Sequence, residues 1–384
     1  MVQKIRYGMV GGGEGAFIGD VHRKAAALDG DYELVCGAFS GNPDKSTRSG
    51  KTLGISENRC YQDFASMIQE EAELPAQQRM QCVVIVTPNH LHFPVAGAAL
   101  KNGFHVMSDK PATFSLAECK ELAELINESG LLYGLTHTYT GYPIVYEARN
   151  LIKDGQLGNI RKIIVEYIQG WLTSAIEQEG QKQAGWRLDP GQAGVSCCMG
   201  DIGVHAFNLA EFVTGLQVDS VSAELNRIVP GRVLDDDGTV LLKFNNRASG
   251  VLISSQICTG EENCLRLRIY GDKAGLEWNQ MEPNTLWIKH ADRPAEMVRA
   301  GTAYLGTDAL AQTRLPAGHP EGYIEAFANL YRNFAEQIHN HMNGDKIDKT
   351  SVPGITEALR GMAFIETVVA SSNNNNEWLS MPEF

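Results

Sequence analysis

The sequence predicts an α/β protein in two parts: a doubly wound parallel sheet, then a domain built on a largely antiparallel or mixed sheet. Three observations predict it. Over the first 137 residues, apolar β-branched runs alternate with stretches of helical spacing, the pattern of βα units with helices on both faces of a sheet. After about residue 140, strand-like runs crowd together across short turns, as antiparallel strands do. Five glycines, Gly11, Gly12, Gly13, Gly15 and Gly19, fall within nine residues near the N-terminus. Glycine inside an ordinary element costs roughly 0.5–1 kcal/mol relative to alanine, so such a cluster marks backbone that must come close to something.

The elements follow in order. IRYGMV reads as a strand, the glycine loop comes next, and DVHRKAAALDG reads as a helix ending near Gly30. ELVCGAFS is the second strand, and QCVVIVTP is an apolar run of the kind buried on both faces. PVAGAALKNG is a helix closed by Gly103, and FHVMSD is a strand. SLAECKELAELINESG is a helix with Ser115 as N-cap and Gly130 as stop, and LLYGLTH is a further strand. The helix YPIVYEARNLIKDG leads into IRKIIVEYIQGW, then the strands SVSAELNRI, TVLLKF, ASGVLISSQI, LRLRIYG, GLEW and TLWIKH. The stretch from about 292 to 322 reads as a long surface loop. YIEAFANLYRNFAEQIHNHM and ITEALRGMAFIETVVASS are amphipathic helices, and Asn373–Asn376 is a turn.

Length and composition agree. A chain of 384 residues exceeds one typical core, so two domains are expected. Hydrophobic residues at 43% and charged residues at 21% are an ordinary globular balance. A net charge of −13 argues against nucleic acid as a partner, since phosphate calls for a basic face. No segment reaches the roughly 20 apolar residues of a membrane span, and the N-terminus has no apolar signal core, which points to a cytoplasmic protein. The eight cysteines contain no CxxC pair, so free and mostly buried thiols are expected and a metal site is not.

A glycine loop between the first strand and first helix of a βαβ unit can hold a dinucleotide diphosphate on backbone amides and the helix N-terminus. Gly11, Gly13 and Ala16 satisfy G-x-G-x-x-A; a longer register that uses Gly19 for close packing is equally open. The second strand of such a unit usually ends in an acid that binds the ribose 2′-hydroxyl of NAD. Here Ser40 stands in that place, with Lys45 and Arg48 within reach of a 2′-phosphate, which leans toward NADP over NAD.

Three further stretches carry a resemblance: TPNHLHFPVAGAAL (87–100), SDKPAT (108–113) and WRLDPGQAGVSCCMGDIGVHAFNLAEF (186–212). With the glycine loop they resemble the glucose–fructose oxidoreductase / inositol dehydrogenase / rhizopine-catabolism family, Gfo/Idh/MocA. The resemblance implies an N-terminal Rossmann domain over 1–137. It implies a C-terminal α/β domain with a large open, mostly antiparallel sheet over 138–350, which makes homodimers or homotetramers. It also implies a last helix, about 351–372, packed back near the Rossmann domain. It makes Lys110, Asp201 and His205 catalytic. It places Gly11, Gly13 and their neighbours Gly15, Ala16, Phe17 and Ile18 on the diphosphate, and Thr87, Pro88, Asn89, His92 and Asp109 with Lys110 around the cofactor; SGN-x-x-K supports Ser40 and Lys45. Departures fall at the glycine loop, at VSCCMG and at THTYTGYP, which puts His137 and Tyr139 in the pocket region.

The chemistry is coherent from the residues. Oxidising a secondary alcohol requires hydride departure and proton removal; a nicotinamide takes the hydride and the protein supplies the base. Histidine titrates near neutrality, so His205 can take the proton, and Asp201, four residues earlier, shares its face if a helix starts there. Lys110 follows a strand, at the edge where such sheets bind ligands, and its ammonium can stabilise an alkoxide. Spacing alone also allows Asp201 as an N-cap, His205 as a core histidine and Lys110 as a surface cation; their occurrence together with the glycine loop selects the catalytic reading. Trp171 and Trp186 suit a sugar face or a core. Arg187 suits hydroxyls or a pairing with Asp189, and His319 is placed to close over the pocket. The expectation is an NAD(P)-dependent oxidoreductase of a sugar, sugar derivative or cyclic polyol. An NAD-dependent glycosidase and a non-catalytic NAD(P) or sugar sensor are the alternatives.

Overall fold

The structure, a computed structural model, describes residues 3–384 and divides into two compact units. One runs to Thr136 and takes in Phe327–Leu359; the other comprises His137–Ala326 and Arg360–Phe384.

The first unit holds β1 (Ile5–Gly11), β2 (Tyr32–Ala38), β3 (Cys82–Val86), β4 (His105–Ser108) and β5 (Tyr133–Leu135). They form one parallel sheet in the order β2-β1-β3-β4-β5. Strand order reverses between β1 and β3, which makes that junction the switch point of the sheet. Its helices are α1 (Phe17–Leu28), α2 (Pro43–Thr52), α3 (Phe64–Glu73), α4 (His92–Lys101) and α5 (Leu116–Ser129). Every residue of β3 is buried, as its unbroken apolar run requires. Ser115 caps α5 by accepting from the Glu118 N–H, and Gly130 ends it in the left-handed conformation that glycine adopts without strain. α2 has no apolar stripe and α3 only the short one of Phe64, Met67 and Ile68, so neither is marked by a long helical period in the sequence. Their starts are set instead by Asn42, which accepts from Lys45 N–H at 2.9 Å, and Asp63, which accepts from Ser66 N–H at 2.8 Å.

The second unit begins with α6 (Pro143–Lys153), β6 (Ile160–Ile168), α7 (Lys182–Arg187) and α8 (Pro190–Ala193). A π-helical turn, Met199–Gly203, leads directly into α9 (Val204–Thr214). Then come β7 (Val218–Asn226), β8 (Asp237–Phe244), β9 (Ser249–Ser255), β10 (Cys264–Gly271), β11 (Ala274–Asn279), β12 (Thr285–His290), β13 (Glu296–Arg299), α10 (Thr307–Ala311) and, near the C-terminus, β14 (Leu379–Ser380). The nine strands form one sheet, antiparallel throughout except where β6 lies parallel to β9. Its buried face presents Val165, Leu252, Leu267, Ile269 and Trp278. The long helices α11 (Tyr323–Asn343) and α12 (Ile355–Asn373) each contribute to both units. Phe364 of α12 stacks on Phe207 of α9 with centroids 4.4 Å apart.

The stretch 292–322 is not loop throughout. It contains β13, paired with β12 through Met297 opposite Trp287, and α10. An edge strand of four mostly exposed residues lacks the apolar content that would announce it. All eight cysteines are free, six of them buried.

Candidate active site

In the first unit the site grows from the switch point. Gly11 and Gly12 adopt φ of +84° and +70°, which turns the chain sharply after β1. A Cβ at Gly11 would meet the Val86 carbonyl oxygen at 2.6 Å, and one at Gly13 the Phe39 carbonyl oxygen at 2.7 Å. A Cβ at Gly19, in the first turn of α1, would come 2.3 Å from the Cα of Gly12. The long register is therefore the one built: Gly19 lets α1 pack against the loop, while Gly13 lets the loop pass the end of β2. Ala16 occupies the N-cap of α1 without a side-chain cap, so the N–H groups at Phe17 and Ile18 meet no capping oxygen from it. The buried Thr87 hydroxyl beside this loop has no hydrogen-bond partner. A glycine loop packed closely at Gly11, Gly13 and Gly19, an uncapped helix start and an orphaned hydroxyl fit a dinucleotide diphosphate.

The walls of the cradle are tied together by His92. Its Nδ1 lies 2.6 Å from the Pro111 carbonyl oxygen and its Nε2 2.9 Å from that of Thr87. It thereby joins the Thr87–Asn89 loop to the segment holding Asp109 and Lys110. Burial lowers its pKa, against two carbonyls that favour a proton on each nitrogen. Asp109 Oδ1 accepts from the backbone N–H of Lys110 at 3.0 Å and from the Thr136 hydroxyl at 2.8 Å. This fixes the backbone from which the Lys110 side chain departs, just past the carboxyl end of β4. At the end of β2, Ser40 Oγ accepts from the Asn42 N–H at 3.2 Å, and Lys45 stands in the first turn of α2.

The second unit gathers His137, Tyr139, Arg187, Asp201 and His205. His205 opens α9 and is buried; its Nδ1 lies 3.3 Å from Nδ1 of His137. The Tyr139 ring meets the His205 ring edge to face at 5.0 Å. The Tyr139 and Tyr167 hydroxyls are hydrogen-bonded to each other; Tyr167 donates to Asn263 Oδ1 at 2.8 Å, and Asn263 Nδ2 donates to the Tyr139 hydroxyl at 3.1 Å. Donor accounting then closes the ring: Tyr139 must give its proton to Tyr167. Gln169 Nε2 also donates to Asn263 Oδ1, at 2.6 Å. Burial pushes both tyrosine pKa values up, so both hydroxyls keep their protons at neutral pH.

Asp201 sits in the π-helical turn. Its Oδ2 accepts from Gln256 Nε2 at 2.9 Å and pairs with Arg187 Nε at 3.3 Å. The Arg187 guanidinium lies 4.3 Å over the Trp186 ring. The turn is held by Asp235, fully buried, which accepts from the Ser196 hydroxyl at 2.9 Å and from the Cys197 and Met199 N–H groups at 3.0 Å each. Trp171 packs instead on an apolar cluster of Leu172, Ala184, Ala193, Cys197 and Leu234. His319 is exposed in a tight turn, its N–H on the Pro316 carbonyl oxygen at 3.2 Å.

Sequence reasoning missed Tyr167, Gln169, Asp235, Gln256 and Asn263. Gln256 and Asn263 flank the β9–β10 loop as polar residues at the ends of apolar strands, a faint signal. Asp235 is one of three consecutive aspartates and reads as a solvated turn. No helix among the described residues is long and apolar enough to cross a membrane.

The comparisons with known proteins cover both units. Residues 5–137 match the family model for the oxidoreductase family with an NAD-binding Rossmann fold, and residues 145–277 match that of the GFO/IDH/MocA C-terminal domain. The uncharacterized oxidoreductase YfiI of Bacillus subtilis is 32% identical over 98% of this chain and 96% of its own. An inositol dehydrogenase homologue from Azotobacter vinelandii, solved with NAD+, superposes with a TM-score of 0.95 at 34% identity, covering 99% of this chain and 98% of that one. A structure of such a homologue from the same organism with NADH and myo-inositol gives 0.91 at 32%, again over 99% and 98%.

Proposed function

The chain belongs to the Gfo/Idh/MocA oxidoreductase family, and from that premise we propose that it oxidises a secondary alcohol of a cyclic polyol, of which an inositol is the first candidate, or of a related sugar. The observation that carries this reading is the backbone cradle at the β1–β3 switch point, where Gly11, Gly13 and Gly19 leave no room for a Cβ and Ala16 leaves α1 uncapped.

When bound, the nicotinamide supplies the hydride acceptor or donor. The chain's own residues do the rest. Gly15, Phe17 and Ile18 offer N–H groups to the diphosphate, while the Gly13 and Ala16 N–H groups donate to the Phe39 and Gly13 carbonyl oxygens and, with Gly11 at the end of β1, set the path of the loop. Thr87, Pro88, Asn89 and Asp109 form the wall beside it, and His92 keeps that wall in place. Lys110 hydrogen-bonds the reacting oxygen and stabilises the alkoxide as the C–H bond is lost. His205 accepts the hydroxyl proton at Nε2, since its Nδ1 is turned to His137. Asp201, anchored by Gln256 and Arg187, places a negative charge near the imidazolium that forms. Tyr139, His137, Trp186 and Arg187 shape the polyol side. The lack of a carboxylate at the end of β2, with Ser40 and Lys45 beside it, supports acceptance of a 2′-phosphate and hence NADP alongside NAD.

The test is reduced-cofactor absorbance on adding myo-inositol and a panel of cyclic polyols and sugars, with NAD and NADP in parallel. Turnover is expected with wild type. It is expected to fall at least about 100-fold in Lys110→Ala and His205→Ala, and Lys45→Ala is expected to weaken NADP selectively. Wild-type rates in both catalytic variants would defeat the assignment.

A further inference from the structure

We infer that Ser49 is a positioning residue for the dinucleotide: its hydroxyl, on α2, holds the Glu14 N–H of the glycine loop and so keeps that loop in its binding shape before a ligand arrives. The inference rests on the glycine loop taking the diphosphate, and adds a role for a residue outside that loop.

A helix usually docks on a sheet through an apolar stripe. α2 has none, and the residues it buries are Ser46, Ser49 and Gly50. It docks through hydroxyls instead. Ser46 Oγ accepts from the Phe39 N–H at 2.8 Å and donates to the Tyr61 carbonyl oxygen at 2.6 Å. Three residues on, and so on the same face, Ser49 Oγ accepts from the Glu14 N–H at 3.1 Å and donates to the Lys45 carbonyl oxygen at 2.8 Å. The chemistry of the partners fixes both directions. A backbone amide only donates and a backbone carbonyl only accepts, so the one hydroxyl proton goes to Lys45 and a lone pair is left for Glu14. Phe39 joins the two serines, because its carbonyl oxygen accepts from the Gly13 N–H at 3.1 Å. The hydrogen bonds thus run from Ser46 through Phe39 and Gly13 to Glu14 and Ser49, and α2 closes the circuit.

The fit at Ser49 is tight. The residue is 4% exposed, and a Cβ at Gly13 would lie 2.7 Å from its hydroxyl oxygen. Glycine at this position therefore lets the loop settle onto the hydroxyl as well as pass Phe39. The N–H groups of the loop are sorted by these contacts. Gly13 donates to Phe39, Glu14 to Ser49 and Ala16 to the Gly13 carbonyl oxygen. Gly15, Phe17 and Ile18 are left for a diphosphate. A loop whose turning amides are already bonded loses little conformational freedom on binding, which is how preorganisation raises affinity. Of those three internal bonds, the one to Ser49 is made by a side chain, so a substitution can remove it.

The experiment measures dinucleotide affinity and amide-resolved hydrogen exchange in the full chain. Fluorescence titration gives Kd for NAD+, NADP+ and ADP-ribose, which share the diphosphate. Ser49→Ala is expected to weaken all three by the same factor, roughly 3–10-fold, the scale of one hydrogen bond. Thr52→Ala removes a similar bond within α2, from the Thr52 hydroxyl to the Arg48 carbonyl oxygen, away from the loop. It is expected to leave each Kd within about two-fold, since a general loss of stability does not change the affinity of a chain that stays folded. In free wild type the Glu14 amide is expected to exchange at least about ten-fold more slowly than that of Gly15, and to lose this protection in Ser49→Ala. Fast Glu14 exchange in wild type would overturn the inference even if the variant failed to fold. Tight wild-type binding with unchanged binding in Ser49→Ala would remove the inference alone and leave the diphosphate reading standing. Tighter binding in Ser49→Ala would also overturn it, by showing that the released Glu14 N–H serves the diphosphate better than the pinned one. If wild type binds none of the three ligands, the diphosphate reading fails and the inference falls with it.

Discussion

At the scale of single residues, Gly19 is where sterics decide most. Its missing side chain allows the first turn of α1 to lie against Gly12, with an added Cβ only 2.3 Å from the Gly12 Cα. The atom it would strike is backbone, so nothing rotates away, and overpacking of this kind costs about 1–3 kcal/mol. Gly19→Ala is therefore expected to lower unfolding free energy by that amount and to weaken cofactor binding more than ten-fold, read by urea denaturation and by fluorescence titration. Gly15→Ala is the contrast: no atom lies within 4 Å of its Cβ, and only its φ of +75° resists substitution, at about 1–2 kcal/mol. Equal binding by wild type and Gly19→Ala would show that the loop relaxes freely. Gly11 and Gly13 are legible in the sequence because their spacing matches a phosphate loop. Gly19 as the close-packing residue is one of the two registers the spacing leaves open; that it packs on Gly12 depends on the path the chain takes between them. Gln256 and Asn263 are hidden for a related reason: they join the site through strand register, which no local pattern records.

At the scale of elements, α1 and α11 meet inside the first unit through His22. The ring is wholly buried, with Nδ1 2.7 Å from the Tyr331 hydroxyl, Nε2 unpartnered and Phe327 edge-on at 4.6 Å. Burial lowers its pKa to about 4 from an ordinary 6.5. The unfolded chain then binds the extra proton first, so stability is full above about pH 6.5 and falls as pH drops toward 4. The slope is at most about 1.4 kcal/mol per pH unit from this residue. His22→Leu is expected to flatten the dependence of unfolding free energy between pH 6.5 and 4, whatever it does to stability at pH 7. An unchanged slope by urea titration would assign the acid sensitivity elsewhere, with His105, also lowered to about 4 by burial, the next to test. Elements with a strong apolar period or a clean cap were legible: β3, α5 and both long helices. The π-helical turn carrying Asp201 was not, because its extra residue is imposed by Asp235 from a distant loop, and sequence spacing had suggested an ordinary helix start.

At the scale of the whole molecule, the chain places its glycine loop and its histidine pair in different compact units, each with its own sheet. A ligand that binds the folded state stabilises it by an amount set by its concentration relative to Kd, about 2.7 kcal/mol at a hundred-fold excess. Where that protection is felt first identifies the unit that holds it, because loops exchange their amide hydrogens by local opening well before the global transition. Hydrogen exchange with added NAD+ or NADP+ is accordingly expected to slow peptides spanning Gly11–Gly19 and Thr87–Leu91 several-fold. A peptide from the β7–β8 pair, whose amides already bond across the nine-stranded sheet, serves as the internal reference and is expected to change least. The same measurement on Gly19→Ala is expected to lose the loop protection while the β7–β8 reference stays as in wild type. Protection confined to β7–β8, with none in the glycine loop, would move the dinucleotide out of the first unit and leave the close packing at Gly11, Gly13 and Gly19 a matter of the chain's own folding.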